Sequence, residues 1–274
     1  MIGTGEKEVT ALPFSYIIKE SEERCRRRKM NSLKQKNLHV LNRDVIKYIA
    51  TFTMVLNHIG IMFLEPGTLL RELLLDIGYF SAPVICYFLV EGYYHTHSRI
   101  RYAGRLLLFA VLSQIPYMLA FQTRVLNMLF TLFFCFLLLE IKTWVQSPFF
   151  RWTGYLLLLF VIGYCDWPTM AAAYTLLFAY AYGSEKKMWR AFLISWALFA
   201  FMVYTGNMAY YSPGMNVFVT AGSVLGAAAA AIVLMYFYNG KRAGGGRTFS
   251  KWFFYLFYPM HLLVLWGIAV YCFG

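Results

Sequence analysis

From residue 45 to the C-terminus the chain repeats one device: an apolar stretch of roughly 16 to 22 residues, then a short polar break. Each stretch is about as long as a helix needs to cross ~30 Å of hydrocarbon. The stretches lie near 45–64, 77–94, 102–121, 125–143, 150–165, 169–183, 190–206, 217–238 and 252–272. The breaks carry turn chemistry, at Glu65-Pro66-Gly67, Ser147-Pro148, Asp166-Trp167-Pro168, Ser212-Pro213-Gly214 and the glycine-rich residues 239–246. With 60% hydrophobic and only 14% charged residues, and a mean hydropathy of +0.54, the chain cannot assemble a water-facing surface. The fold class expected is all-α, a polytopic transmembrane bundle of about nine spans, with no internal repeat. The 19% aromatic content fits tyrosine and tryptophan gathered at bilayer interfaces.

The net charge of +12 does not point to nucleic acid, because the charges sit in short segments between apolar stretches. Nine crossings place all but Arg71 and Arg124 of the 25 Lys and Arg residues on one side. The positive-inside rule makes that side the cytoplasm, with the N-terminus inside and the C-terminus outside. Residues 1–43 form a basic tail, with the run Arg24, Arg26, Arg27, Arg28 and Lys29, suited to solvent and anionic headgroups. The tail has no signal-peptide core, so the first span is its own anchor, and Met30 is an alternative start. The membrane domain is expected over residues 44–274. Of the five cysteines, Cys25, Cys86, Cys135, Cys165 and Cys272, three lie in apolar runs as packing residues. No metal-ligand spacing is present.

Ionisable groups inside spans are costly, and four qualify as functional candidates: His58, Glu91, Arg105 and His261. At ~1.5 Å per residue, His58 lies about 21 Å into its helix. His261 lies about 14 Å in, or deeper if its helix begins before Trp252. The two imidazoles can share one cavity, although a lone intramembrane histidine can also be a satisfied core residue. Glu91 and Arg105 fall near the cytoplasmic boundary, where they would pair with each other or with a cytosolic ligand. His95 and His97 flank a basic loop and read as solvated. Pro83, Pro116 and Pro259 interrupt helix interiors, and a carbonyl freed by Pro259 could fix the tautomer of His261.

The run Lys47-Tyr48-Ile49-Ala50 through Met54, followed by Asn57-His58-Ile59-Gly60, resembles the first span of the TraX family of conjugation-associated pilin acetylases. The second and third spans resemble the family as well, in Ile77-Gly78, Pro83, Phe88-Leu89-Val90-Glu91-Gly92-Tyr93, His95-Thr96, Tyr102, Arg105-Leu106 and Ser113-Gln114-Ile115-Pro116-Tyr117. Asn127 through Leu132 and Phe254-Tyr255-Leu256-Phe257-Tyr258-Pro259-Met260-His261-Leu262 are similar to later family motifs. The resemblance covers residues 44–274.

The resemblance implies a multi-pass acyltransferase of the inner membrane. Acetyl-CoA would be the donor, and a protein N-terminus or another envelope acceptor, pilin-like by family, would receive the acetyl group. Acyl transfer needs a base and a means of steadying an oxyanion. His58 is the expected base, with His261 and Glu91 as further acid/base candidates. Arg99, Arg101 and Arg105 would hold the phosphates of coenzyme A. Asn57, His95, Asn127 and Tyr258 would support these groups. One departure stands out: the family usually carries Asp before this histidine, and here the residue is Asn57. In serine proteases an acid-to-amide swap beside the histidine costs about 10⁴ in rate. A transporter or channel, and a catalytically inactive homologue, remain open as alternatives.

Overall fold

The computed structural model describes residues 39–245 and 247–273. The basic run of the tail, Met30 and Cys25 lie outside the described residues. Residues 41–273 belong to one compact unit. Its helices are α1 Arg43–Phe63, α2 Leu69–Gly78, α3 Ser81–His95, α4 Arg99–Phe121 and α5 Met128–Trp144. They continue as α6 Pro148–Ile162, α7 Pro168–Ala181, α8 Glu185–Asn207 and α9 Pro213–Ile232, which runs into a π-helical turn, Val233–Phe237. The last is α10, Arg247–Phe273. Among the described residues all regular structure is helical, apart from two isolated bridges, Leu41 to Tyr238 and Leu126 to Cys165.

A helix stands at each of the nine stretches picked out from the sequence. Among the described residues six helical segments are long and apolar enough to cross a membrane: Arg43–Phe63, Leu69–His95, Arg99–Phe121, Glu185–Asn207, Pro213–Phe237 and Trp252–Cys272. Helices α5, α6 and α7 are shorter, at 17, 15 and 14 residues. Several helices begin earlier than hydropathy alone indicates, α8 at Glu185 and α10 at Arg247, because their first turns are polar. The second span differs most. It starts at Leu69 and breaks at Tyr79 and Phe80, so Pro83 lies in the first turn of α3 rather than in a helix interior. A proline there gives up an N–H that would have no partner in any case.

Local chemistry sets the ends. Asn42 caps α1 by accepting from the N–H groups of Asp44 and Val45, both at 3.0 Å. Prolines open α6, α7 and α9. Helix α3 is apolar nearly all round, which is the pattern of a buried helix. It runs through the centre against α1, α5, α7 and α9, with Val84, Cys86 and Val90 fully enclosed. Cys135 and Cys165 are buried as well, as packing predicts, whereas Cys272 is exposed.

Helix α9 meets α2 through a two-glycine notch. A Cβ at Gly222 would overlap the Asp76 carboxylate, and one at Gly226 would overlap the Asp76 carbonyl. The Ser223 hydroxyl between them donates to Asp76 Oδ1 at 3.1 Å. Gly226→Ala is therefore expected to force the helices apart and cost about 1–3 kcal/mol. A lowered thermal-unfolding midpoint of the detergent-purified variant checks this, and an unchanged midpoint would contradict the notch.

Candidate functional site

His58 is the sixteenth residue of α1 and His261 the fifteenth of α10, so each lies about 21–22 Å from the start of its helix. The earlier start of α10 brings the two to matching depth. His58 Nδ1 and His261 Nε2 are 2.9 Å apart, with the rings nearly parallel. His261 Nδ1 lies 2.9 Å from the Phe257 carbonyl. This carbonyl belongs to the residue one turn back, rather than to Tyr255, the partner freed by Pro259. A carbonyl only accepts, so His261 Nδ1 carries the proton and its Nε2 presents a lone pair. With both rings neutral, His58 Nδ1 must then donate, which leaves His58 Nε2 as a bare acceptor. Phe121 meets the His58 ring edge-on, Phe257 stacks on His261, and Tyr258 leans against it.

Two cavities meet near this pair. The larger holds about 460 Å³ and is lined at one end by Arg43, Lys47, Arg105 and Arg242. Asp44 also lines it, accepting from the Ala243 N–H at 2.8 Å. The Arg105 guanidinium lies over Tyr102, and its buried Nε has no hydrogen-bond partner among the described residues. The smaller cavity, about 70 Å³, is lined by Asn57, His58, Ser81, Asp166 and Trp167 among others. Met54, Ile85, Met128 and Tyr258 line both, so the two spaces adjoin. Asp166 belongs to the turn between α6 and α7, and burial pushes its carboxyl up to about 6, against hydrogen bonding from the Trp167 backbone and Tyr117.

The expected site residues divide. His58, His261 and Tyr258 come together. Arg105 lines the large cavity, but Arg99 turns to the buried Glu140 at 3.3 Å and Arg101 is exposed, so the three arginines do not act as one cluster. Glu91 does not pair with Arg105. Its Oε1 accepts from the Tyr238 hydroxyl at 2.7 Å, away from the histidines. His95 closes the end of α3, its Nδ1 near the Glu91 carbonyl and the Tyr182 hydroxyl. Asn57 donates to the Leu75 carbonyl at 3.4 Å and packs against Gly78. It makes no hydrogen bond to His58, whose partner is His261 instead.

Asn127 makes architectural contacts. It caps α5 through the Leu129 N–H, donates to the Ala110 carbonyl at 2.7 Å, and meets Gln114 at 2.9 Å. Asn127→Ala should cost about 1–3 kcal/mol of stability, since the cap and a buried donor pair are lost together. Any acetyl-transfer rate measured well below the melting temperature should stay within a few-fold. A large rate loss at full stability would return Asn127 to the chemistry.

Arg43, Lys47, Arg242 and Asp166, which line the cavities, were not read as site residues from the sequence. One signal was present: Lys47, Thr51, Met54 and His58 recur at helical spacing, and all four line the cavities from one face of α1.

The TraX protein family model matches residues 42–269, which holds both histidines and every cavity-lining residue. A Dichelobacter nodosus protein named "Probable fimbrial assembly protein FimC, serogroup H1" is 31% identical over 232 residues, covering 80% of this chain and 92% of that relative. No solved structure matches. A helical membrane bundle that places His58 and His261 in hydrogen-bond contact, matched along nearly its whole length by one family model, belongs to the TraX family.

Proposed function

We propose that this protein is a multi-pass enzyme of the inner membrane that transfers an acetyl group from acetyl-CoA to an envelope acceptor. The acceptor is a protein N-terminus, pilin-like in view of the fimbrial name of the Dichelobacter relative. The chain crosses about nine times with its N-terminus in the cytoplasm, so the basic end of the large cavity faces the cytosol. The observation that carries the reading is the directed chain from the Phe257 carbonyl through His261 to His58, set where a cation-lined cavity meets a smaller one.

The thioester supplies an activated acyl carbon, and the protein supplies binding and proton handling. Arg105, with Arg43, Lys47 and Arg242, fits the phosphates of the donor. Guanidinium groups match phosphate geometry, and Arg105 Nε is left with its hydrogen-bonding capacity unused. A volume of about 460 Å³ lies within the usual range for small-molecule sites. His58 Nε2 takes a proton from the attacking group and returns it to the departing sulfur. The charge gained by His58 is steadied through Nδ1–H by His261, which remains neutral and oriented. Tyr258, held by the Met128 N–H, offers its O–H to the developing oxyanion. Because His261 rather than residue 57 orients His58, Asn57 in place of the usual acid leaves this machinery whole.

The test uses the full chain in proteoliposomes with acetyl-labelled acetyl-CoA, reading thiol release and label transfer. Mass spectrometry of envelope-protein N-termini from cells with and without the protein reads the same activity in vivo. Loss of acetyl marks from a defined set of N-termini is expected. No thiol release and no changed mark would sink the reading, and solute flux without any acetyl donor would replace it with transport.

A further inference from the structure

Acylating an amine liberates one more proton than acylating an alcohol. In water the amine is an ammonium, so R–NH₃⁺ and an acetyl thioester yield R–NH–CO–CH₃, a thiol and one proton. With R–OH, the ester and the thiol account for every hydrogen. His58, as the base of the proposed reaction, carries one proton from nucleophile to sulfur and is regenerated. An amine acceptor therefore needs a second group to remove the first proton before attack, and an alcohol does not.

The small cavity contains such a group. Asp166 lines it together with His58. Its turn is fixed from both sides, by its N–H to the Leu126 carbonyl at 2.7 Å and by the Thr131 hydroxyl to its own carbonyl at 2.6 Å. The next residue, Trp167, is held in the left-handed region at φ 54°. The titratable groups around the carboxylate are Tyr117 of α4, Tyr258 of α10, Cys165 beside it, His58 of α1 and, across the same cavity, Tyr79. No lysine or arginine lines this cavity, in contrast to the large one. The carboxylate is held by the Trp167 N–H and the Tyr117 hydroxyl, which leaves it lone pairs for a cationic group entering beside His58.

We infer that Asp166 receives the ammonium group of the acceptor N-terminus in the small cavity and accepts its first proton, a proton-accepting role for this residue beside His58. The inference rests on the acyl-transfer reading. In balance, the N–H bond of the ammonium breaks to give the neutral amine and the Asp166 carboxylic acid. The amine nitrogen then bonds the acyl carbon as the C–S bond breaks, while His58 moves the second proton to sulfur. Asp166 later releases its proton to water. Its carboxyl, raised by burial to about 6, comes closer to an α-amine at about 8 than an ordinary aspartate does.

The experiment compares two hexapeptide probes in proteoliposomes with labelled acetyl-CoA. One has a free N-terminal glycine amine, and in the other a hydroxyl replaces that amine. The wild-type protein should acetylate the amine probe, and Asp166→Asn should lower amine transfer about 10- to 100-fold more than hydroxyl transfer. At about pH 9, where more amine is neutral, the variant should recover part of the loss. Should Asp166→Asn fail to fold, the wild-type amine-to-hydroxyl rate ratio serves instead. It should stay level between about pH 8 and 6 and fall below about 6, where the carboxylate is protonated, whereas unaided attack by neutral amine falls about tenfold per unit from pH 8 downward. Equal losses on both probes, or a ratio that falls steadily from about pH 8, would overturn the inference. So would a wild-type protein that releases thiol from acetyl-CoA yet acetylates neither probe, although the donor half of the proposed function would then stand. Absence of thiol release as well would remove the acyltransferase reading itself.

Discussion

Replacing His58 with alanine is expected to lower acetyl transfer on the order of 10³-fold while the protein still purifies as a folded bundle. The direction follows from the hydrogen-bond chain, which leaves His58 Nε2 as the acceptor nitrogen beside the junction of the cavities. His261→Ala should cost less, about 10- to 100-fold, because it removes the orienting partner and not the base. His261→Gln should recover part of that loss, since an amide oxygen can accept from His58 Nδ1–H. The double alanine variant should be no slower than His58→Ala alone, because groups acting as one unit are not additive. Full transfer by His58→Ala, or strictly multiplicative losses in the double variant, would dismantle the proposed relay.

Arg105→Ala should raise KM for acetyl-CoA about 10- to 100-fold with little change in kcat, the loss of one or two charge-assisted hydrogen bonds worth about 1.5–3 kcal/mol. Its guanidinium lines the cation-rich end of the large cavity, and it touches neither histidine. Lysine at this position should restore only part of the affinity, since it supplies charge without the planar fork. Arg101→Ala is the control: this side chain is exposed and lies outside the cavity, so KM should hold. Steady-state kinetics over a range of salt would decide. Equal effects at Arg101 and Arg105 would mean general surface charge rather than a donor site.

The helices were legible because lipid imposes a length and turn residues mark the breaks. That the two histidines could share a cavity was legible from their places inside spans, but their matching depth was not, because hydropathy starts the last helix at Trp252 and the structure starts it at Arg247. Other features were hidden for identifiable reasons. Leu69–Gly78 looked like the tail of a loop, since Arg71, Glu72 and Asp76 dilute its hydropathy, yet Glu72 is buried and satisfied by Arg71 and Tyr211. Arg43, Lys47 and Arg242 read as topology charges, because a charge count records the side of the membrane and not the direction of a side chain. Asp166 sits in a turn signature, where aspartate is ordinary, and only tertiary structure carries that turn to His58. Glu91 and Arg105 share a depth, but depth without azimuth does not make a pair, and Glu91 found Tyr238.

The four side chains common to both cavities have a bearing on how such a site can exist in an energised membrane. A chamber reached from two aqueous faces is a leak unless something interrupts the water column. Met54, Ile85, Met128 and Tyr258 border both spaces and are apolar apart from one phenol, the kind of lining that disfavours a continuous file of water. Methionine deforms easily, so in the proposed reaction this boundary would part around a slender thioester arm and close behind it. The insulation of the bilayer and the passage of the acyl group would then be handled by the same four residues.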